Sequence, residues 1–199
     1  MKKITKILLF TAMLTMLFSA ATAFGASSSS SGQKAVKARA VKFMKAAKNY
    51  QIKKMGQNIV KSATYSYIPD PAGNAVQHMN KKHLKYKVGK ISVSGTKASV
   101  RVKVTYFDGY SVFKKSFNDT IRWYAVNRKA TTEQVQKKMY SFAMANYRNV
   151  SKSKYMKSTT LILKMNQYSN GWFITSITGS YGAAINGNYQ KAYKAVFKK

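Results

Sequence analysis

The stretch Lys97-Ala-Ser-Val-Arg-Val-Lys-Val-Thr-Tyr106 decides the fold. Ala98, Val100, Val102, Val104 and Tyr106 fall on one side of an extended chain, and Lys97, Ser99, Arg101, Lys103 and Thr105 on the other. Successive side chains point to opposite faces of a strand, so this pattern predicts a strand with one buried and one wet face. The wet face carries positive charge and no negative charge. Upstream, Tyr86 to Val93 reads as the partner strand, with Ser94-Gly95-Thr96 as the turn. The alternation changes phase across Gly89, which predicts a bulge there. A second hairpin follows later. Thr159, Leu161, Leu163 and Met165 alternate within 158–168, Asn170-Gly171 is a strong hairpin turn, and Trp172 to Thr178 returns.

Between and before the hairpins the spacing turns helical. Val36, Ala40, Phe43, Ala47 and Tyr50 predict a helix over 34–48, and Ile52, Met55, Ile59 and Ala63 a second one, broken by Pro69-Asp70-Pro71. A short helical piece over 72–83 carries His78 and His83. Tyr110, Phe113, Phe117, Ile121 and Tyr124 predict a helix over 110–127. Thr131 and Gln134 form a capping box opening another, with Val135, Met139, Phe142 and Tyr147 along it. The expected fold class is α+β: an N-terminal helical hairpin on an antiparallel sheet of two hairpins, with two helices inserted between them. No internal repeat is visible.

Composition sets the remaining bounds. The 199 residues hold 36 Lys plus Arg against Asp70, Asp108, Asp119 and Glu133, a formal net charge of +32. Arg stands only at 39, 101, 122, 128 and 148; the other basic residues are Lys. Arg grips phosphates and base edges bidentately, whereas Lys acts as a solvated point charge, so the balance points to diffuse attraction to a polyanion. There is no Cys, which excludes disulfides, thiolate metal sites and a Cys nucleophile. Residues 1–25 read as a signal peptide, with Lys2, Lys3 and Lys6 before an apolar run over 7–18 and small residues at the cleavage site, between Ala23 and Ala26. Residues 26–33 read as a Ser-rich tether, 34–180 as one α+β domain, and 181–199 as a basic, partly helical C-terminal tail. The expected localisation is secreted and cell-wall associated.

The segments Phe43-Met-Lys-Ala-Ala-Lys-Asn-Tyr-Gln-Ile-Lys-Lys-Met55, 88–106 and Asn170-Gly-Trp-Phe-Ile174 resemble the nuclear transport factor 2-like (cystatin-like) superfamily, in particular uncharacterised secreted and lipoprotein members of Gram-positive bacteria. The resemblance covers 34–180. It implies a curved sheet wrapped around helices as a cone, sometimes with an internal pocket. Members of the superfamily include isomerases, dehydratases and many non-catalytic binding or dimerisation modules.

No catalytic constellation emerges. Asp70 between two Pro and Asp108 before Gly109 suit turns; Asp119 lies four and three residues from Lys115 and Arg122; Glu133 lies in a first helical turn. His78 and His83 are five apart, which does not place two metal ligands on one helix face, and no nucleophile elbow frames a Ser. The expectation is therefore no catalytic residue, no metal and no cofactor. The cationic clusters are the lead: Lys97, Arg101, Lys103 and Lys164 on one sheet face, then Lys137 with Lys138, then Lys152, Lys154 and Lys157. The expected partner is an anionic cell-wall polymer such as teichoic acid, or an anionic lipid surface, bound through counterion release. Alternatives are non-specific binding of single-stranded nucleic acid, with Tyr rings for stacking, and a small-molecule or enzymatic site inside the cone. Homodimerisation through the outer sheet would set like charges face to face.

Overall fold

The computed structural model describes residues 30–60 and 71–197. Helix α1 (Ser30–Lys48) is followed by the short α2 (Ile52–Gly56) and by α3 (Pro71–His83). The hairpin of β1 (Lys85–Ser94) and β2 (Lys97–Phe107) comes next, then helices α4 (Tyr110–Val126), α5 (Thr132–Arg148) and the single turn α6 (Lys152–Tyr155). The second hairpin is β3 (Met156–Tyr168) and β4 (Gly171–Thr178), and the chain continues through α7 (Tyr181–Asn186) and α8 (Tyr189–Phe197). Among the described residues the strands form one antiparallel sheet in the order β1-β2-β3-β4. The α+β class and the two inserted helices stand as the sequence predicts.

Register explains which residues are inside. Val100 faces Leu163, Val102 faces Leu161 and Ala98 faces Met165, all of them buried. The pairing of β1 with β2 slips between Val88 and Ile91, the bulge that the phase change at Gly89 predicts. Against this inner face pack Val36, Ala40, Phe43 and Met44 of α1, with Ala184 and Ile185 of α7. A second core lies among the helices, where Val76 and Met79 of α3 meet Phe113 and Phe117 of α4, Met139 of α5, and Tyr189 and Tyr193 of α8. One domain thus carries two apolar centres side by side.

Four expectations need correction. The sheet is not strongly curled, so it lies on the helices as a layer and does not wrap them as a cone. Ser30 to Gln33, expected in a tether, are part of α1, with no Pro to stop the helix, and residues 26–29 lie outside the described residues. The second helix of the N-terminal pair ends at Gly56, a poor helix former. Beyond it Ile59 runs alongside β4, with the Val60 amide donating to the Ile174 carbonyl at 3.0 Å and the Ile174 amide to the Asn58 carbonyl at 2.9 Å. An open strand edge offers unpaired backbone groups, and here it outcompetes another helical turn. Ala63, Pro69 and Asp70 lie outside the described residues, as do the expected signal peptide over 1–25 and Lys198 and Lys199. Finally, 181–197 is no tail. Tyr189, Ala192, Tyr193, Val196 and Phe197 recur at helical spacing, and they bury that stripe on α4.

Two polar junctions hold the parts together. Asn80, 5% exposed, donates from Nδ2 to the carbonyls of Ile185 at 2.7 Å and Ala47 at 3.2 Å, so α3 is tied to the C-terminal ends of α7 and α1. A helix end leaves carbonyls short of partners; the Ala47 carbonyl also accepts from the Tyr50 amide at 3.0 Å. At the other junction Asp108 accepts from the Tyr110 amide at 3.2 Å and from Asn188 Nδ2 at 2.8 Å, fixing the start of α4 to the α7–α8 turn. Gly179 closes the second hairpin onto α7 with φ +97°, and a Cβ there would lie 2.5 Å from the Thr160 carbonyl oxygen.

Replacing Asn80 by Ala removes the side-chain donor to the Ile185 carbonyl and one of two donors to the Ala47 carbonyl, which keeps the Tyr50 amide, and is expected to cost about 1–3 kcal/mol in urea unfolding. Gly179→Ala meets both a positive φ and a backbone oxygen, and should lower stability by about 1–3 kcal/mol in the same assay. An unchanged midpoint for either variant would remove the role assigned to it.

Candidate polyanion interface

The outer face of the sheet is built by the same alternation that fills the core. With Val100, Val102 and Val104 turned inward, Lys97, Arg101 and Lys103 must face out, and the pairing of Ser99 with Lys164 brings Lys164 onto the same face. Arg101, Lys103 and Lys164 are exposed and Lys97 is half-buried. The pairing adds two cations that the sequence reading passed over. Lys87 stands directly opposite Lys103 and Lys85 opposite Thr105, so both belong to this face. The strand was read as starting at Tyr86, and the bulge at Gly89 separates its two halves in phase; only the register assigns Lys85 and Lys87. Directly opposed like charges on neighbouring strands repel. Ser92, Ser99, Ser158, Thr160 and Ser176 fill the spaces between the cations, and the sequence of all four strands contains no Asp or Glu.

Three of the four acids, Asp108, Asp119 and Glu133, lie among the described residues and are engaged elsewhere. Asp108 serves the junction described above. Asp119 accepts from Lys115 Nζ at 2.7 Å and from Asn146 Nδ2 at 3.0 Å. Burial alone would raise its pKa, but those two hydrogen bonds and the charges of Lys115 and Arg122 hold it below the ordinary carboxylate value. It is a half-buried ion pair, less solvated than its helical spacing suggested. Glu133 pairs with Lys137 at 2.8 Å on the exposed face of α5, where the Thr131–Gln134 capping box forms as predicted.

The remaining candidates fall in two other places. Lys137 and Lys138 lie on α5, with Lys138 Nζ 5.0 Å from the centre of the Phe142 ring and 5.9 Å from that of Trp123. Lys152 donates to the Arg148 carbonyl at 2.8 Å and sits over Tyr147 at 4.8 Å, while Lys154 and Lys157 are exposed close by in sequence. Lys157 pairs with Tyr106, on the opposite phase from Lys164, so it does not extend the sheet patch. The nine residues therefore form three separate patches, and the sheet holds the largest.

His78 and His83 meet through aromatic packing. His83 Nε2 and the Tyr147 hydroxyl share a 2.6 Å hydrogen bond, His78 packs edge-on against Tyr147, and Phe107 stacks beside both His83 and Tyr147. Among the described residues no three His, Cys, Asp or Glu side chains cluster as metal ligands would. Burial, then Lys82 and other nearby cations, push both imidazoles below the ordinary value of 6.5. A pKa lowered by folding means that the unfolded chain binds more protons, so this stabilising contribution is present above pH 6.5 and is lost as pH falls below it.

The melting temperature is accordingly expected to fall between pH 7.5 and pH 5, before the carboxylates titrate. A His78→Gln, His83→Gln double variant should flatten that part of the profile; an unchanged slope would assign it to other groups. Among the described residues no helix is long and apolar enough to cross a membrane. No family model matches the chain, and neither does a curated protein or a solved structure.

Proposed function

We propose that this protein is a secreted, non-catalytic binding module retained in a Gram-positive cell envelope by anionic polymers, teichoic acid or another polyphosphate, through its Lys-rich surfaces. The observation that carries this reading is the outer sheet face, where Lys85, Lys87, Lys97, Arg101, Lys103 and Lys164 share one surface with hydroxyl side chains and no acid. Such a face repels itself, and Lys87 opposite Lys103 makes the repulsion local. A phosphate polymer laid across it relieves that repulsion and releases its own condensed counterions, so binding and stability rise together. Lys outnumbers Arg on the face and the hydroxyls are short, which suits a mobile, repetitive chain better than one fixed geometry. The engagement of Asp108, Asp119 and Glu133 in structural contacts supports a binding role over acid–base chemistry. The order of elements also supports kinship with the cystatin-like superfamily, with a flatter sheet than a cone requires.

Co-sedimentation with purified Gram-positive walls, with and without teichoic acid, across stepped salt tests the proposal. Binding should vanish with the polymer and fall steeply with salt. Replacing Lys97, Arg101, Lys103 and Lys164 together by Gln should reduce the slope of log K against log salt by about 3, given about 0.7 per phosphate contact on a flexible chain. Salt-resistant binding, or equal binding to stripped walls, would overturn the reading.

A further inference from the structure

A second feature lies away from the sheet, along the seam of α4 and α5. Lys115, Asp119, Arg122, Trp123 and Val126 follow one another on α4 at intervals of four, three, one and three, which sets them on one side of that helix. Opposite them α5 brings Gln134, Lys138, Phe142 and Asn146. Between the two runs a groove. Its outer part, at the α4–α5 turn, is a concavity of about 990 Å³ that includes Arg128 and Lys129. Its inner part, about 460 Å³, is bounded by Lys115, Arg122 and Asn146, and Trp123 lines both. From Lys115 to Val126 the helix rise gives a length of about 16 Å. Two of the five Arg residues stand here, in a chain otherwise dominated by Lys.

The floor and the walls differ in chemistry. Trp123 and Phe142 are half-buried and supply apolar surface, and Val126 at the turn is 83% exposed. Among the charged residues of the walls, Lys115, Arg122, Arg128, Lys129, Lys137 and Lys138 stand against Asp119, whose charge is already answered by Lys115 and Asn146. The Asn146 amide also donates to Ser116 Oγ at 3.1 Å, so the polar groups deep in the groove are committed to one another. Lys138 lies against both rings, so any ligand seated on them moves its side chain off the ring faces.

We infer that the α4–α5 groove is a dedicated subsite for a linear phosphodiester chain of small polyols, with phosphates on Arg122, Arg128, Lys129 and Lys138 and the carbon units over Trp123 and Phe142. The inference deepens the proposed function and rests on its ligand class, but it assigns a separate site. Arg guanidinium groups grip phosphate oxygens in pairs, so the groove fixes a short run of chain that the sheet face holds only diffusely. The aromatic floor favours the hydrocarbon face of a polyol, which bare inorganic polyphosphate lacks.

The chain carries its own reporter. It has two Trp, and Trp172 is 5% exposed in the sheet core, so acrylamide quenching reads Trp123. The chain freed of its leader is titrated at fixed salt with deacylated poly(glycerol phosphate), following emission and quenching. Trp123 should become protected, a Trp123→Phe variant should lose the response, and an Arg122→Gln, Arg128→Gln, Lys138→Gln variant with an unchanged melting curve should bind at least tenfold more weakly in this readout. The four-residue sheet variant should keep the protection while losing wall retention. If Trp123 stays equally quenchable while the walls still retain the protein, the groove assignment falls and the sheet reading survives. Stronger protection by an oligothymidylate of matched charge, by inorganic polyphosphate, or by phosphatidylglycerol vesicles would also overturn it.

Discussion

The side-chain amide of Asn80 is the constraint on which the arrangement of the two cores depends. It sits on α3, among the helices, yet both of its N–H groups are spent on α1 and α7, which cover the sheet. A helix end leaves carbonyls without partners, and a buried one must find a donor or lose stability. Here two helix ends converge on a single amide. Apolar packing alone would hold the sheet layer and the helical layer together without fixing their angle, because it is non-directional. The paired hydrogen bonds of Asn80, with those of Asp108 across the β2–α4 corner, supply the direction.

That arrangement also decides where charge accumulates. The sheet must turn its apolar side to α1 and α7, so its polar side faces water along its whole width. The acids among the described residues are committed to Asn188, Asn146, Lys115 and Lys137. The α4–α5 pair packs on α3 and α8 through one side of each helix. Its other side is left with half-buried rings under long cationic side chains. Both surfaces follow from burial being satisfied first and charge being placed in what remains.

Much of this was legible from residue order. Strict alternation over 97–106 and the Thr131–Gln134 box constrain the backbone through neighbours a few residues apart, and both formed where the sequence placed them, whereas the second hairpin turns one residue before Asn170-Gly171, at Ser169-Asn170, with Gly171 opening β4 at φ +118°. The loss of phase at Gly89 was enough to locate the bulge. Where the reading went astray, a distant partner decided. Ile59 has helical spacing with Met55, but the edge of β4 drew its backbone into an extended bridge. Residues 189–197 form the helix that their spacing allowed within a basic, partly helical tail, but only α4 provides the surface on which Tyr189 and Tyr193 are buried.

The sequence by itself determined the class of fold, the two hairpins and the cationic excess, because periodicity, turn chemistry and charge are properties of neighbouring residues. Only the tertiary structure decided that Lys85 and Lys87 join Lys103 and Lys164 on one face, and that Trp123, Phe142 and Lys138 line one groove. Strand register and helix pairing are fixed by contacts between residues far apart in the chain, and these follow from how the whole molecule buries its apolar surface.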